Sequence, residues 1–193
     1  MTRMFMRVSL RALTLTAVAL LATGRPSHAQ AAPEVPHCEG TKLQVEQLWC
    51  QGGAAFIQQT PAGYTASIAP YAHALALEKR HRTLSRTAWL VLIDNLGMAY
   101  GITGDLAKAR ALFEYGLTKE PRYPMFHYNL ACAYAEMGDE PKTIESLRHA
   151  FAVRDNIIAG EAMPDPATDD SFQRFMHDPK FLAALKALPG VAK

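Results

Sequence analysis

The stretch Asp94-Asn95-Leu96-Gly97-Met98-Ala99-Tyr100 returns as Tyr128-Asn129-Leu130-Ala131-Cys132-Ala133-Tyr134, an offset of 34 residues. The correspondence continues downstream, where Gly104-Asp105 matches Gly138-Asp139, Phe113 matches Leu147 and Gly116 matches Ala150. A fixed period of this length marks stacked helical pairs. Trp89, Leu92, Ile93, Leu96 and Tyr100 form one apolar stripe, and Leu106, Ala109, Leu112, Phe113 and Leu117 form the next. Gly104 reads as a left-handed helix stop and Asp105 as the cap of the following helix. Pro121 closes this unit. Pro124 opens the second, whose stripes are Phe126, Leu130, Ala133, Tyr134 and Met137, then Ile144, Leu147, Ala150 and Phe151.

Upstream, Val45, Leu48, Trp49, Gly52 and Phe56 share a helical face, which Gly52-Gly53 is expected to bend or end. Thr60-Pro61-Ala62-Gly63 reads as a break. The next helix is expected near Ser67, with Pro70 in its first turn, and Ser85 or Thr87 caps the one after. No shift of 34 aligns this first pair with the later units, so a diverged repeat and an unrelated hairpin both stay open. Downstream of Asp155-Asn156 the pattern lapses into an acidic, turn-rich linker with Pro164 and Pro166. Asp169 or Asp170 caps a short helix carrying Phe172, Phe175 and Met176, and Asp178-Pro179 starts a last helix with Phe181, Leu182, Leu185 and Leu188. That helix reads as a lid on an open end. The expected organisation is a leader (1–29), an arm (30–40), a first helical pair (41–86), two repeats (87–157), a linker (158–170) and a helical cap (171–193).

The leader carries Arg3, Arg7 and Arg11, a short apolar run from Leu13 to Thr23, and the small-residue site Ser27-His28-Ala29, with a cut after Ala29 or Ala31. That run is shorter than the roughly 18 to 20 apolar residues of a membrane-spanning helix. The reading is a periplasmic or secreted product without membrane insertion of the mature chain. Removing the leader leaves 16 basic against 18 acidic residues, a net charge of −2, so no basic footprint for nucleic acid or an anionic membrane remains. In an oxidising compartment Cys38 and Cys50 are expected to pair, worth about 3 kcal/mol in the chain-entropy model. Cys132 falls on an apolar face and reads as a buried, inert thiol.

With Leu96, Gly97, Tyr100, Ala109, Phe113, Gly116 and Pro121, and again Leu130, Ala131, Tyr134, Leu147 and Ala150, the chain resembles the tetratricopeptide repeat family. Ile93, His127, Thr143 and Asp155 depart from that pattern. The run from Asp169 to Phe181 is similar to the end-of-group tail that follows the last repeat in bacterial members. The resemblance implies an all-α, short right-handed superhelical solenoid of antiparallel helix pairs with a C-terminal capping helix. It also implies a protein or peptide partner on the concave face, where Asp94, Asn95, Met98, Met125, Tyr128 and Asn129 are the candidate contacts. Asn95 and Asn129 correspond to asparagines that hold a peptide backbone in some members; the alternative is that both bond within their own scaffold. The basic residues that clamp a terminal carboxylate in other members are missing, since Asp94 and Met98 occupy that surface.

Other chemistry is thinly represented. His37, Cys38 and Cys50 lack the spacing of a zinc site, and Asp165, Asp169, Asp170 and Asp178 lack that of a calcium loop and read as helix caps. Ser67, Ser85, Ser146 and Ser171 have no nucleophile elbow around them. No cofactor and no catalytic residue is assigned. The expected function is an adaptor or assembly factor for an envelope or secreted complex, as a monomer or weak homo-oligomer. The alternatives are a small hydrolase or metal-dependent enzyme on a helical scaffold, and a self-association module presenting Phe172, Phe175 and Met176.

Overall fold

Capping groups and prolines set the helix boundaries in the computed structural model, which describes residues 43–190. The leader, the arm and Cys38 lie outside the described residues. Within them the chain is all-helical: α1 (Gln44–Phe56), α2 (Pro61–Arg80), α3 (Arg86–Ile102), α4 (Leu106–Lys119), α5 (Pro124–Met137), α6 (Glu140–Ala152) and α7 (Pro179–Lys186), with 3-10 turns at Arg154–Asn156 and Asp170–Phe175. Each helix from α1 to α6 packs on the next in sequence. In addition α3 touches α1 and α5, and α7 returns to α6.

The two repeats share their turn chemistry to the atom. Gly104 and Gly138 take φ of +94° and +81°, which a side chain disfavours. Asp105 and Asp139 then donate their amides back to Tyr100 O (2.8 Å) and Tyr134 O (2.9 Å). Their carboxylates cap α4 and α6 through Lys108 N and Lys142 N, both at 3.2 Å. The same two lysines close ion pairs with their caps and lie 5.3 and 5.2 Å from the ring centroids of Tyr100 and Tyr134.

Small residues let the helices approach. A Cβ on Gly97 would run into the Phe113 ring, and one on Gly116 would sit 2.7 Å from Phe126. Leu96 and Leu130 occupy matching buried positions beside Gly97 and Ala131. As a result α3 buries Leu90, Leu92, Ile93, Leu96, Met98 and Ile102, side chains on several sides of one helix. Such a helix is a core element, each large side chain contributing roughly 1.5 to 3 kcal/mol.

Three expectations are corrected here. Gly52-Gly53 does not end α1, which runs through both because Gly52 lies flat against the Tyr71 ring. Thr60-Pro61 is the start of α2 rather than a break: Thr60 Oγ1 accepts from Gly63 N at 3.0 Å and Pro61 takes the first turn, which leaves Pro70 in the helix interior. The stretch read as a linker is laid on the helices as a strap, with Ile157, Ile158 and Met163 packed against the core.

Overpacking should therefore be costly where a glycine faces a ring and harmless where it does not. Gly97→Leu is expected to lower unfolding free energy by about 1 to 3 kcal/mol in urea titrations. Gly53→Ala, whose new methyl would meet Tyr71 Oη at an ordinary 3.6 Å, should be neutral or stabilising by up to about 1 kcal/mol.

Candidate functional site

Of the residues expected on an open concave face, Asp94 and Asn129 meet between α3 and α5, Asn95 turns to α2, and Tyr128 is covered by the chain's own strap. Met98, Met125, Tyr128, Asn129 and Asp94 are all buried, and Asn95 is half-buried. The covering segment is 157–176. Gly160 (φ +87°) and a turn at Asp165, whose Oδ1 accepts from Ala167 N at 2.9 Å, bend it across α5. The 3-10 turn Asp170–Phe175 then packs against α5. The expectation of a face open to solvent is thus corrected: Phe172, fully buried, stands edge-on to Tyr128 at 5.7 Å and near Phe181 at 6.1 Å. The same burial removes Phe172 from any exposed self-association patch, and Phe175 and Met176 are partly buried beside it.

Polar contacts hold the strap. Tyr123 Oη donates to Glu161 Oε2 at 2.6 Å, and Tyr128 Oη donates to Asp169 Oδ2 at 2.9 Å. Arg174 Nη1 donates to Ala135 O (2.8 Å) and Glu136 O (3.1 Å), carbonyls in the last turn of α5 where a cation is favoured. Asp169 also accepts from Ser171 N, so it caps the 3-10 turn as the sequence suggested.

Both candidate asparagines bond within the scaffold, to side chains. Asn129 Nδ2 donates to Asp94 Oδ1 at 2.7 Å, tying α5 to α3, and Asn95 Nδ2 donates to Tyr71 Oη at 3.0 Å, tying α3 to α2. Burial pushes Asp94 up to about 8; the charge of Glu161 adds to the rise and the Asn129 hydrogen bond opposes it. Burial also raises Glu161, against the pull of the Tyr123 hydrogen bond. Among the described residues no lysine, arginine or histidine forms an ion pair with either acid. Cys132 is a buried free thiol, raised first by burial and then by Asp169 of the strap. The partner proposed for Cys50, Cys38, lies outside the described residues.

Chemistry of other kinds finds little footing among the described residues. They hold no group of three or more histidine, cysteine or acidic side chains arranged for a metal, and no helix long and apolar enough to cross a membrane. His127 and His149 stack at 5.5 Å, the first half-buried with Nε2 on Pro121 O at 2.8 Å. Two surface grooves lie away from the strap: one of about 400 Å³ between α6 and α7, and one of about 340 Å³ over α2, α3 and α4. Apolar and basic residues and two tyrosines line them, without a carboxylate, histidine, serine or cysteine. Comparison of the chain with protein-family models, curated proteins and solved structures finds no match.

Sequence reasoning missed Tyr123, Glu161, Asp169 and Arg174 as one constellation. The available signal was Ile157, Ile158 and Met163, apolar residues that a solvated linker does not need.

A raised carboxyl fixes the direction of a pH effect. Asp94 binds its proton more tightly folded than unfolded, so stability falls as pH climbs from the ordinary carboxylate range towards about 8 and levels off beyond. Asp94→Asn keeps the acceptor for Asn129 without the charge. In urea unfolding it should match the parent near pH 4 and exceed it by about 2 kcal/mol at pH 9; equal slopes with pH would refute the buried-acid assignment.

Proposed function

We propose that this chain is an exported scaffold of the tetratricopeptide type, a short right-handed solenoid that holds a segment of another protein along the α3 and α5 face. It serves as an adaptor or assembly factor in an envelope or secreted complex. The observation that carries this is the strap: the face already holds a non-helical stretch of polypeptide through tyrosine hydroxyls, an aromatic anchor and the carbonyls at the end of α5. A surface with those groups suits a polypeptide segment that offers carboxylate, aromatic and guanidinium side chains in turn. The identical caps of α4 and α6 and the glycine-to-ring approaches favour a repeat array over a closed bundle. A Cys38–Cys50 bond would fasten the arm to α1 outside the cell.

In this arrangement Asp94, Met98, Met125, Tyr128 and Asn129 act from below, and a partner reaches them when the strap moves aside. Val91, half-buried on α3 one turn before Asn95, suits a photocrosslinking residue. Crosslinking in cells from Val91 should repeatedly yield one exported protein, absent from an identical experiment at exposed Lys119. Recovery of the strap alone from Val91 would overturn the proposal.

A further inference from the structure

Helices α2 and α4 flank α3 and leave a trough of about 340 Å³ over it. Both run antiparallel to α3: Asn95 meets Tyr71 and Trp89 meets Arg82 on one side, while Gly97 meets Phe113 and Tyr100 meets Lys108 on the other. The two walls are therefore parallel to each other. Leu75, Leu96 and Leu112, all buried, make the floor. Ala72, Ala76 and Ala111 line the walls, and side chains this small let another helix come close.

A lysine stands at each end. Lys79 Nζ lies 4.4 Å from the ring centroid of Tyr115, and Lys108 Nζ lies 5.3 Å from that of Tyr100; all four side chains line the trough. The negative face of each ring holds its ammonium over the trough. Tyr115 follows Lys108 by seven residues on α4, about 10 Å of helix axis, so the cations are set two turns apart with apolar surface between them.

The two cations differ in what they already hold. Lys108 pairs with Asp105 at 2.7 Å and keeps further N–H donors. Lys79 forms no ion pair among the described residues, and neither do Arg80 and Arg82 beside it. The adjacent acid, Glu78, is turned inward to accept from Thr83 N and Leu84 N. No carboxylate lines the trough. The dipole of α2 favours cations at its end, but it does not require an apolar channel running on from them.

We propose that this trough docks an amphipathic helix of a partner protein, with two acidic residues seven positions apart and a pair of leucine-like residues midway between them. One carboxylate meets Lys79, the other meets Lys108, and the apolar pair settles over Leu96. On a helix the residues i, i+3, i+4 and i+7 share one face, and seven of its residues match the seven from Lys108 to Tyr115. An extended chain covers the same distance in about three residues and would lay a single apolar side chain on three leucines. The surface is separate from the strap on α5 and does not depend on the reading given above for that face.

The probe is a fluorescein-labelled, alanine-based synthetic helix of about 18 residues with Glu at i and i+7 and Leu at i+3 and i+4, read by fluorescence anisotropy against the full-length protein. A second peptide carries Lys in place of both Glu. The parent should bind the Glu peptide about tenfold more tightly than the Lys peptide at low salt, with the gap narrowing as salt rises. Lys79→Glu should reverse that preference, and Lys119→Glu, outside the trough, should leave it in place. Ala111→Trp, which fills the trough from an exposed wall position, should weaken both peptides about tenfold or more. Far-UV circular dichroism checks that each variant stays helical.

Equal binding of the two peptides, binding unmoved by Ala111→Trp, or no binding at all would overturn the proposal. So would either rival occupant. Parent that sediments as a dimer and Ala111→Trp that does not would assign the trough to a second copy of this chain. Displacement of the Glu peptide by phosphatidylglycerol vesicles, lost in Ala111→Trp, would assign it to anionic lipid.

Discussion

Everything in this fold depends on rings lying flat on glycine backbone. Phe113 on Gly97, Phe126 on Gly116 and Tyr71 on Gly52 bring successive helices closer than any Cβ would permit. Close approach is what lets α3 bury side chains towards α2, α4 and α5 at once. Each glycine costs its helix about 1 kcal/mol in propensity, and the buried ring offsets that cost. The weakness this leaves in α1, α3 and α4 is visible in the sequence; the aromatic partner that repairs it is visible only in space.

Close approach also has an electrostatic effect. Because α3 and α5 lie side by side, a carboxyl on one and an amide on the other meet at 2.7 Å out of reach of water. An acid so placed favours its protonated form, and the strap then lays a second carboxyl near it. Two tyrosine hydroxyls and one arginine on helix-end carbonyls make up the rest of the attachment. These are directional contacts of modest net worth, roughly 0.5 to 1.5 kcal/mol each where neutral and more where charged. The covering segment is therefore joined both by these hydrogen bonds and by apolar packing, with Phe172 fully buried and Ile157, Ile158, Met163, Phe175 and Met176 laid against the same core that joins the helices beneath it.

How far the sequence could be read follows from the range of each interaction. Helix ends were legible because caps act within three residues: Ser85, Asp105, Asp139 and Asp178 all cap as their spacing suggested. The all-helical character was legible for the same reason. The start of α2 was misplaced because Pro61 and Pro70 both suit a first turn, and only the Thr60 side chain on Gly63 N decides between them. The candidate residues lie on α3 and α5, and the segment that covers Tyr128 was not foreseen. Contacts such as Tyr123 to Glu161 and Tyr128 to Asp169 span about 40 residues and follow no period, so no local pattern announces them. The acids of the strap resembled solvated charge, since a carboxylate looks the same in a sequence whether it faces water or a phenol.

One further contact sets the scale for any encounter at this face. Arg154, just past α6, donates Nη1 to Pro189 O at 2.8 Å, beyond the end of α7. The polypeptide between them is thus tied at both ends, and a displaced strap cannot drift far. Tethering of this kind gives a local concentration on the order of millimolar for a short flexible connection. A free rival with the same contacts and present at micromolar level faces a handicap of about a thousandfold, roughly 4 kcal/mol. Its own connection to the helices thus keeps the covering segment in place against any free chain that offers no more than the same contacts.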